Sequence, residues 1–165
     1  MSTRRNFLAT AAFAGAATIV GAQTTQSAPA QNPGPAKPPA IDRDMVHDFV
    51  IAGHVDLDKV RTMLAKEPGL LNATWDWGGG DFEMAIGGAG HMGRPDIAYY
   101  LISQGGRFDI FVAAMLGRLD IVKNALAAFP NLAQTKGPHG IPLIVHAEKG
   151  GANATEVLKF LQSLK

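Results

Sequence analysis

The 165-residue sequence predicts an all-α solenoid of four helix-turn-helix units with two hairpin fingers, one finger being absent between units two and three. Three observations predict it. Shifting the chain on itself by 62 residues lays LDKVRTMLAKEPGL, from Leu57, over LDIVKNALAAFPNL, from Leu119, with seven identities. In both copies the apolar residues fall at helical spacing, Leu57, Val60 and Leu64 in one and Leu119, Val122 and Leu126 in the other, and a proline closes each, Pro68 or Pro130. No stretch sustains an alternation of two with β-branched residues, so a sheet is not supported.

In chain order, the first segment reads as an address. Ser2-Thr3-Arg4-Arg5-Asn6-Phe7-Leu8 sets two arginines before an Ala/Gly/Thr-rich apolar run that ends at Ala22. It resembles a twin-arginine export signal, matching that pattern at Thr3, Arg4, Arg5, Phe7 and Leu8, with Ala9 in place of the usual lysine. The run is too short and too diluted by Gly15 and Gly21 to span a membrane. Small residues suit cleavage after Ala22, or after Ala30 as the second choice. The resemblance implies a destination outside the cytoplasm, periplasmic or secreted, with the membrane met only during export. Residues 23–40 hold five prolines and no large apolar side chain, so they cannot offset their ordering entropy and form a disordered linker. The domain proper is 41–165. Without residues 1–22 the formal charge moves from +1 to −1, and no basic cluster points to nucleic acid. The absence of cysteine excludes disulfides and thiolate metal sites, leaving packing to stabilise the fold.

The helices follow in pairs. Short apolar segments near Asp44–Ala52, Phe82–Met92, Ile110–Leu116 and Pro142–Lys149 each precede a longer amphipathic one, beginning near Leu57, Pro95, Leu119 and Ala154. Glycines mark the joints at Gly53, Gly93, Gly117 and Gly150-Gly151. Ala113-Ala114-Met115-Leu116-Gly117-Arg118-Leu119-Asp120-Ile121-Val122, Gly140-Ile141-Pro142-Leu143 with His146-Ala147, and Ala89-Gly90-His91-Met92-Gly93-Arg94-Pro95-Asp96-Ile97 resemble successive parts of the ankyrin repeat. No unit carries an intact Thr-Pro-Leu-His. The acid opening each outer helix recurs at Asp58, Asp96, Asp120 and Glu156, in steps of 38, 24 and 36. The 24-residue step has no room for a finger, so units two and three join directly, and the segment IFVAAML, apolar on every face, suits a helix covered on both sides.

WDWGGGDFE, Trp75 to Glu83, falls in the long step and reads as the first finger. Gly78, Gly79 and Gly80 supply the positive φ of its tip; Asp81 is placed to cap a helix beginning at Phe82, and Glu83 to sit in its first turn. Trp75 and Trp77, flanking Asp76, are expected to point in opposite directions and leave at least one ring at the surface for contact. The second finger, Thr135–Gly140, brings Lys136 and His139. Two units apart, the fingers would stand ~16 to 20 Å from each other above a notch floored by inner helices.

The binding residues expected are therefore Trp75, Asp76, Trp77, Asp81, Glu83, His91, Lys136 and His139. No cofactor motif is present, and histidine spacing supports no metal site: His47 and His54, seven apart, lie ~10 Å from each other along a helix. The ankyrin resemblance implies that His91 and His146 brace backbone near a finger. Asp76, Asp81 and Glu83 beside tryptophan have the composition of a sugar-cleaving site, but a glycine hinge would not hold an acid and a nucleophile at a fixed separation. The sequence thus points to a monomeric, exported, non-catalytic module that binds a protein partner. A glycan or small-ligand binder using Trp75 and Trp77 is the alternative, and a hydrolase a distant third.

Overall fold

The computed structural model describes residues 37–164, so the export signal at Arg4, Arg5, Phe7 and Leu8, the cleavage positions and most of the 23–40 linker lie outside the described residues. The compact unit that carries the helices spans Pro39–Lys165. It is mostly helical: α1 (Arg43–Val55), α2 (Leu57–Lys66), α3 (Ala85–Met92), α4 (Pro95–Ser103), α5 (Ile110–Met115), α6 (Leu119–Ala128), α7 (Leu143–Lys149) and α8 (Thr155–Gln162). Two short strands, β1 (Thr74–Asp76) and β2 (Phe82–Met84), pair antiparallel and form the only sheet among the described residues. No helix among those residues is long and apolar enough to cross a membrane.

Local chemistry sets the ends of these helices. Asp42 caps α1 through Met45 N–H, Asp56 caps α2 through Lys59 N–H, and Asp109 caps α5 through Phe111 and Val112 N–H, all at 2.9 to 3.0 Å. A Gly-Arg-x-Asp motif opens α4 and α6. Gly93 and Gly117 both adopt φ 71° at the end of the preceding helix, and Arg94 and Arg118 then grip Asp96 and Asp120 with two nitrogens each.

Four helices, α1, α3, α5 and α7, lie side by side, each touching the next, and each packs against the helix that follows it in sequence. Their contact is close because glycine forms it: a Cβ at Gly53 of α1 would stand 2.3 Å from the Ala85 carbonyl oxygen of α3. The core divides in two. Phe49, Val60, Leu70, Ile97 and Leu101 centre one cluster, and Val122, Leu143, Val157 and Leu161 the other. Helix α5 belongs to both, giving Val112 and Met115 to the first and Ala113 and Ala114 to the second, as its all-round apolar sequence requires. Between α4 and α5 the chain runs only from Gln104 to Asp109, so no finger separates these pairs.

The inner helix expected from Phe82 starts instead at Ala85. Phe82–Met84 pairs with Thr74–Asp76, in the register Thr74 with Met84, Trp75 with Glu83 and Asp76 with Phe82. The residue before α3 is Met84, which makes no side-chain cap, so Asp81 caps no helix and Glu83 stands on a strand rather than in a first turn. The three glycines do turn the tip, with φ of 121°, 65° and 88° at Gly78, Gly79 and Gly80.

Candidate functional site

Period-two geometry decides what the first finger presents. Residues two apart on a strand share a face, and cross-strand partners share it too, so Trp75, Trp77 and Glu83 all turn toward the inner helices. The expectation that the indoles point apart is therefore corrected: their centroids lie 6.5 Å from each other, around His47 at 4.6 and 5.6 Å. Asp76 and Phe82 occupy the opposite face, where Phe82 is 60% exposed. Asp76 accepts the Gly78 N–H at 2.9 Å, an Asx turn that tightens the tip.

Glu83 is the centre of the site. Its side chain is fully buried, yet four groups from four separate segments converge on it. Trp77 Nε1–H donates to Oε2 at 2.9 Å, His91 Nε2 lies 2.9 Å from Oε1, and His54 Nε2 and His139 Nε2 each stand 3.3 Å from Oε2. His54 comes from the last turn of α1, His91 from the last turn of α3, and His139 from the tip of the second finger. Burial pushes the Glu83 carboxyl upward, but the bonds from His54, His91 and Trp77 outweigh it and hold the pKa at about 2. The reciprocal contact with Glu83 raises His54, against the opposing effect of burial.

The surroundings are shaped to admit these rings. A Cβ at Gly88 would fall 2.6 Å from His54 Nδ1, so only glycine at this turn of α3 lets the imidazole lie across the helix. At Gly87 a Cβ would meet Glu83 Cγ and Pro138 of the second finger only at ordinary contact distances of 3.4 and 3.7 Å, so the close fit belongs to Gly88. His139 is the one non-glycine residue with positive φ among the described residues, at 58°, a conformation costing roughly 1–2 kcal/mol. Asp81 holds it there with both oxygens, accepting its backbone N–H at 2.9 Å and binding its Nδ1 at 3.0 Å.

The two fingers thus meet, where the sequence suggested a wide open notch. What remains between them is a cleft of about 450 Å³, walled by Gly80, Asp81, Phe82 and Met84 on one side and Lys136, Gly137 and Pro138 on the other, with Gly87 and Phe111 as its floor. Phe111 reaches the cleft because α5 follows its loop directly, with no finger above it.

Of the residues expected from sequence, Trp77, Asp81, Glu83, His91 and His139 come together, and Lys136 lies exposed across the cleft from Asp81. Trp75 and Asp76 stay outside the cluster; Trp75 is covered by the Arg43 guanidinium, 4.9 Å from its ring centroid. His54 was missed. The signal for it is the Gly87-Gly88 pair inside a helix, which lowers helix stability and calls for a neighbour pressed against it. His146 bonds backbone at the base of the second finger: its Nδ1–H donates at 3.1 Å to the carbonyl of Pro142, which bridges to Lys136 just before α7, and its Nε2 is buried without a partner.

No family model matches the chain, and no curated protein matches it.

Proposed function

We propose that this chain is an exported binding module built on the ankyrin plan, which holds a segment of a protein partner in the cleft between its two fingers. The four packed helix pairs, the repeated Gly-Arg-x-Asp openings and the direct join between the second and third pair support the ankyrin part of the reading. The twin-arginine pattern at Arg4 and Arg5 supports export.

One observation carries the binding role: the cleft joins an apolar floor and wall, Phe111, Phe82, Met84 and Pro138, to charged ends, Asp81 and Asp109 opposite Lys136. That composition, apolar within and charged at the rim, is the anatomy of a protein interface. A sugar stacked on Trp75 would have to displace both Arg43 and His47, which leaves Trp77, 37% exposed, as the platform of the glycan alternative.

Site-directed photo-crosslinking in intact cells tests this. A photoreactive residue replacing Phe82 or Lys136 is expected to give a discrete adduct, whereas one replacing Tyr99 on the outer helix α4 gives none. The same adducts from all three positions would mean general surface adhesion and defeat the proposal.

A further inference from the structure

We propose that His54, His91, His139 and Glu83 bind a single transition-metal ion of the zinc class, which ties the second finger to the first two helix pairs. The donor atoms of these four residues all lie within 4.8 Å of one another. This inference does not rest on the protein-partner reading, since it concerns the buried cluster and not the cleft beside it.

Hydrogen-bond logic points to a cation between these side chains. The Val50 carbonyl can only accept, so His54 Nδ1 carries a hydrogen, at 2.9 Å. The Asp81 carboxylate fixes the hydrogen of His139 on Nδ1 in the same way. In each neutral ring Nε2 is then a bare lone pair, and both lone pairs face the same oxygen, Glu83 Oε2. Three acceptors do not converge at the oxygen of a buried carboxylate unless positive charge stands among them.

That charge is either two extra protons or one metal ion, and the gathering of four donors within 4.8 Å of one another fits the ion. Charge-assisted hydrogen bonds in this molecule run from 2.7 Å for Arg94 to Asp96, through 2.9 Å for Lys159 to Glu156, to 3.0 and 3.3 Å for Arg118 to Asp120. His54 and His139 stand 3.3 Å from Oε2, and His91 stands 2.9 Å from Oε1. A tetrahedral ion with bonds of about 2.0 to 2.1 Å separates its ligands by ~3.3 to 3.4 Å. Three imidazoles and one carboxylate suit zinc and its neighbours; magnesium and calcium prefer oxygen throughout.

The outer contacts are those that metal ligands characteristically make. The Val50 carbonyl and the Asp81 carboxylate orient two imidazoles, and Trp77 N–H occupies one lone pair of Oε2, leaving the other free. The positive φ of His139 fits this use: a strained backbone is kept where the ring has to arrive at one place. Four protein donors make a closed site, whose role is to fasten the finger rather than to activate water.

The test uses the untagged chain, stripped with chelator and titrated with Zn²⁺ by calorimetry and with Co²⁺ by visible absorption. One equivalent and the intense bands of tetrahedral Co²⁺ are expected. His139→Asn keeps a residue that tolerates positive φ while removing the imidazole, and should weaken binding by more than about 100-fold. Asp81→Asn should weaken it by about 10- to 100-fold, and His47→Ala, outside the cluster, should leave it unchanged. No stoichiometric binding by the wild type would overturn the proposal. So would full affinity in His139→Asn with an unaltered circular dichroism spectrum.

Discussion

At the scale of single residues, His146 shows what an unmatched polar atom does inside this fold. Its ring edge lies between Gly137 and Gly90, near enough that a Cβ on either would touch it, and Nε2 has no hydrogen-bond partner. Burial pushes its pKa below the usual 6.5; the Pro142 carbonyl, Asp109 and Glu83 push it upward, and His91 adds to the lowering. A histidine depressed in the folded state binds fewer protons there than in the unfolded chain. Its neutral form therefore supports folding at neutral pH, and that support is lost as pH falls through 6.5 toward the folded value. In urea titrations, His146→Leu should lie within about 1 kcal/mol of wild type at pH 7.5. Toward pH 5 the variant should gain on the wild type by up to about 1.4 kcal/mol per pH unit, the limit for one proton. Parallel stability curves for the two proteins would show that His146 titrates alike in both states. Glu83 is the opposite case, a buried carboxylate with Trp77, His54, His91 and His139 all within 3.3 Å.

At the scale of elements, glycine serves two distinct purposes that one substitution each can separate. Gly79 sits at the finger tip with φ 65° and open space around its Cβ position, so Gly79→Ala meets only conformational strain, about 1 kcal/mol. Gly53 lies in regular helix but would drive a methyl carbon to 2.3 Å from the Ala85 carbonyl, prying α1 from α3. Gly53→Ala should cost more, about 1–3 kcal/mol, and also displace His54 from the cluster one residue away. Chemical denaturation distinguishes the two, and equal losses would mean that the helices part without resistance. The α5 helix is short enough that its cap matters: Asp109 holds two of its first N–H groups, and Asp109→Ala should cost about 1 kcal/mol.

At the scale of the whole molecule, the two core clusters meet where α5 lends one side to each and where α3 packs against α7. The halves should consequently unfold as one. Both tryptophans lie on the first finger, far in sequence from the second cluster, so their fluorescence reports mainly on the first half and on the second finger that touches Trp77. Leu143→Ala, in the second cluster, should lower stability by about 2–5 kcal/mol and shift the tryptophan-monitored midpoint together with the circular dichroism midpoint. A fluorescence midpoint that stays in place would show that the halves are independent, as weakly coupled repeats can be.

Most helix positions were legible in the amino-acid order because they depend on neighbours: the spacing of Leu57, Val60 and Leu64, the prolines and the joint glycines all act within a few residues. The glycine tip and the direct join before α5 were legible for the same reason. The start of α3 was not, since Phe82–Met84 has no helical or strand signature strong enough to decide between pairing with β1 and joining the helix, and the cross-strand partners decided it. The gathering of His54, Glu83, His91 and His139 was equally out of reach. These residues are scattered along the chain and belong to four elements, and only the side-by-side packing of α1 and α3 with the return of the second finger brings them to one carboxylate. Spacing along a chain measures distance within an element, whereas the separation of side chains on different elements is set by packing.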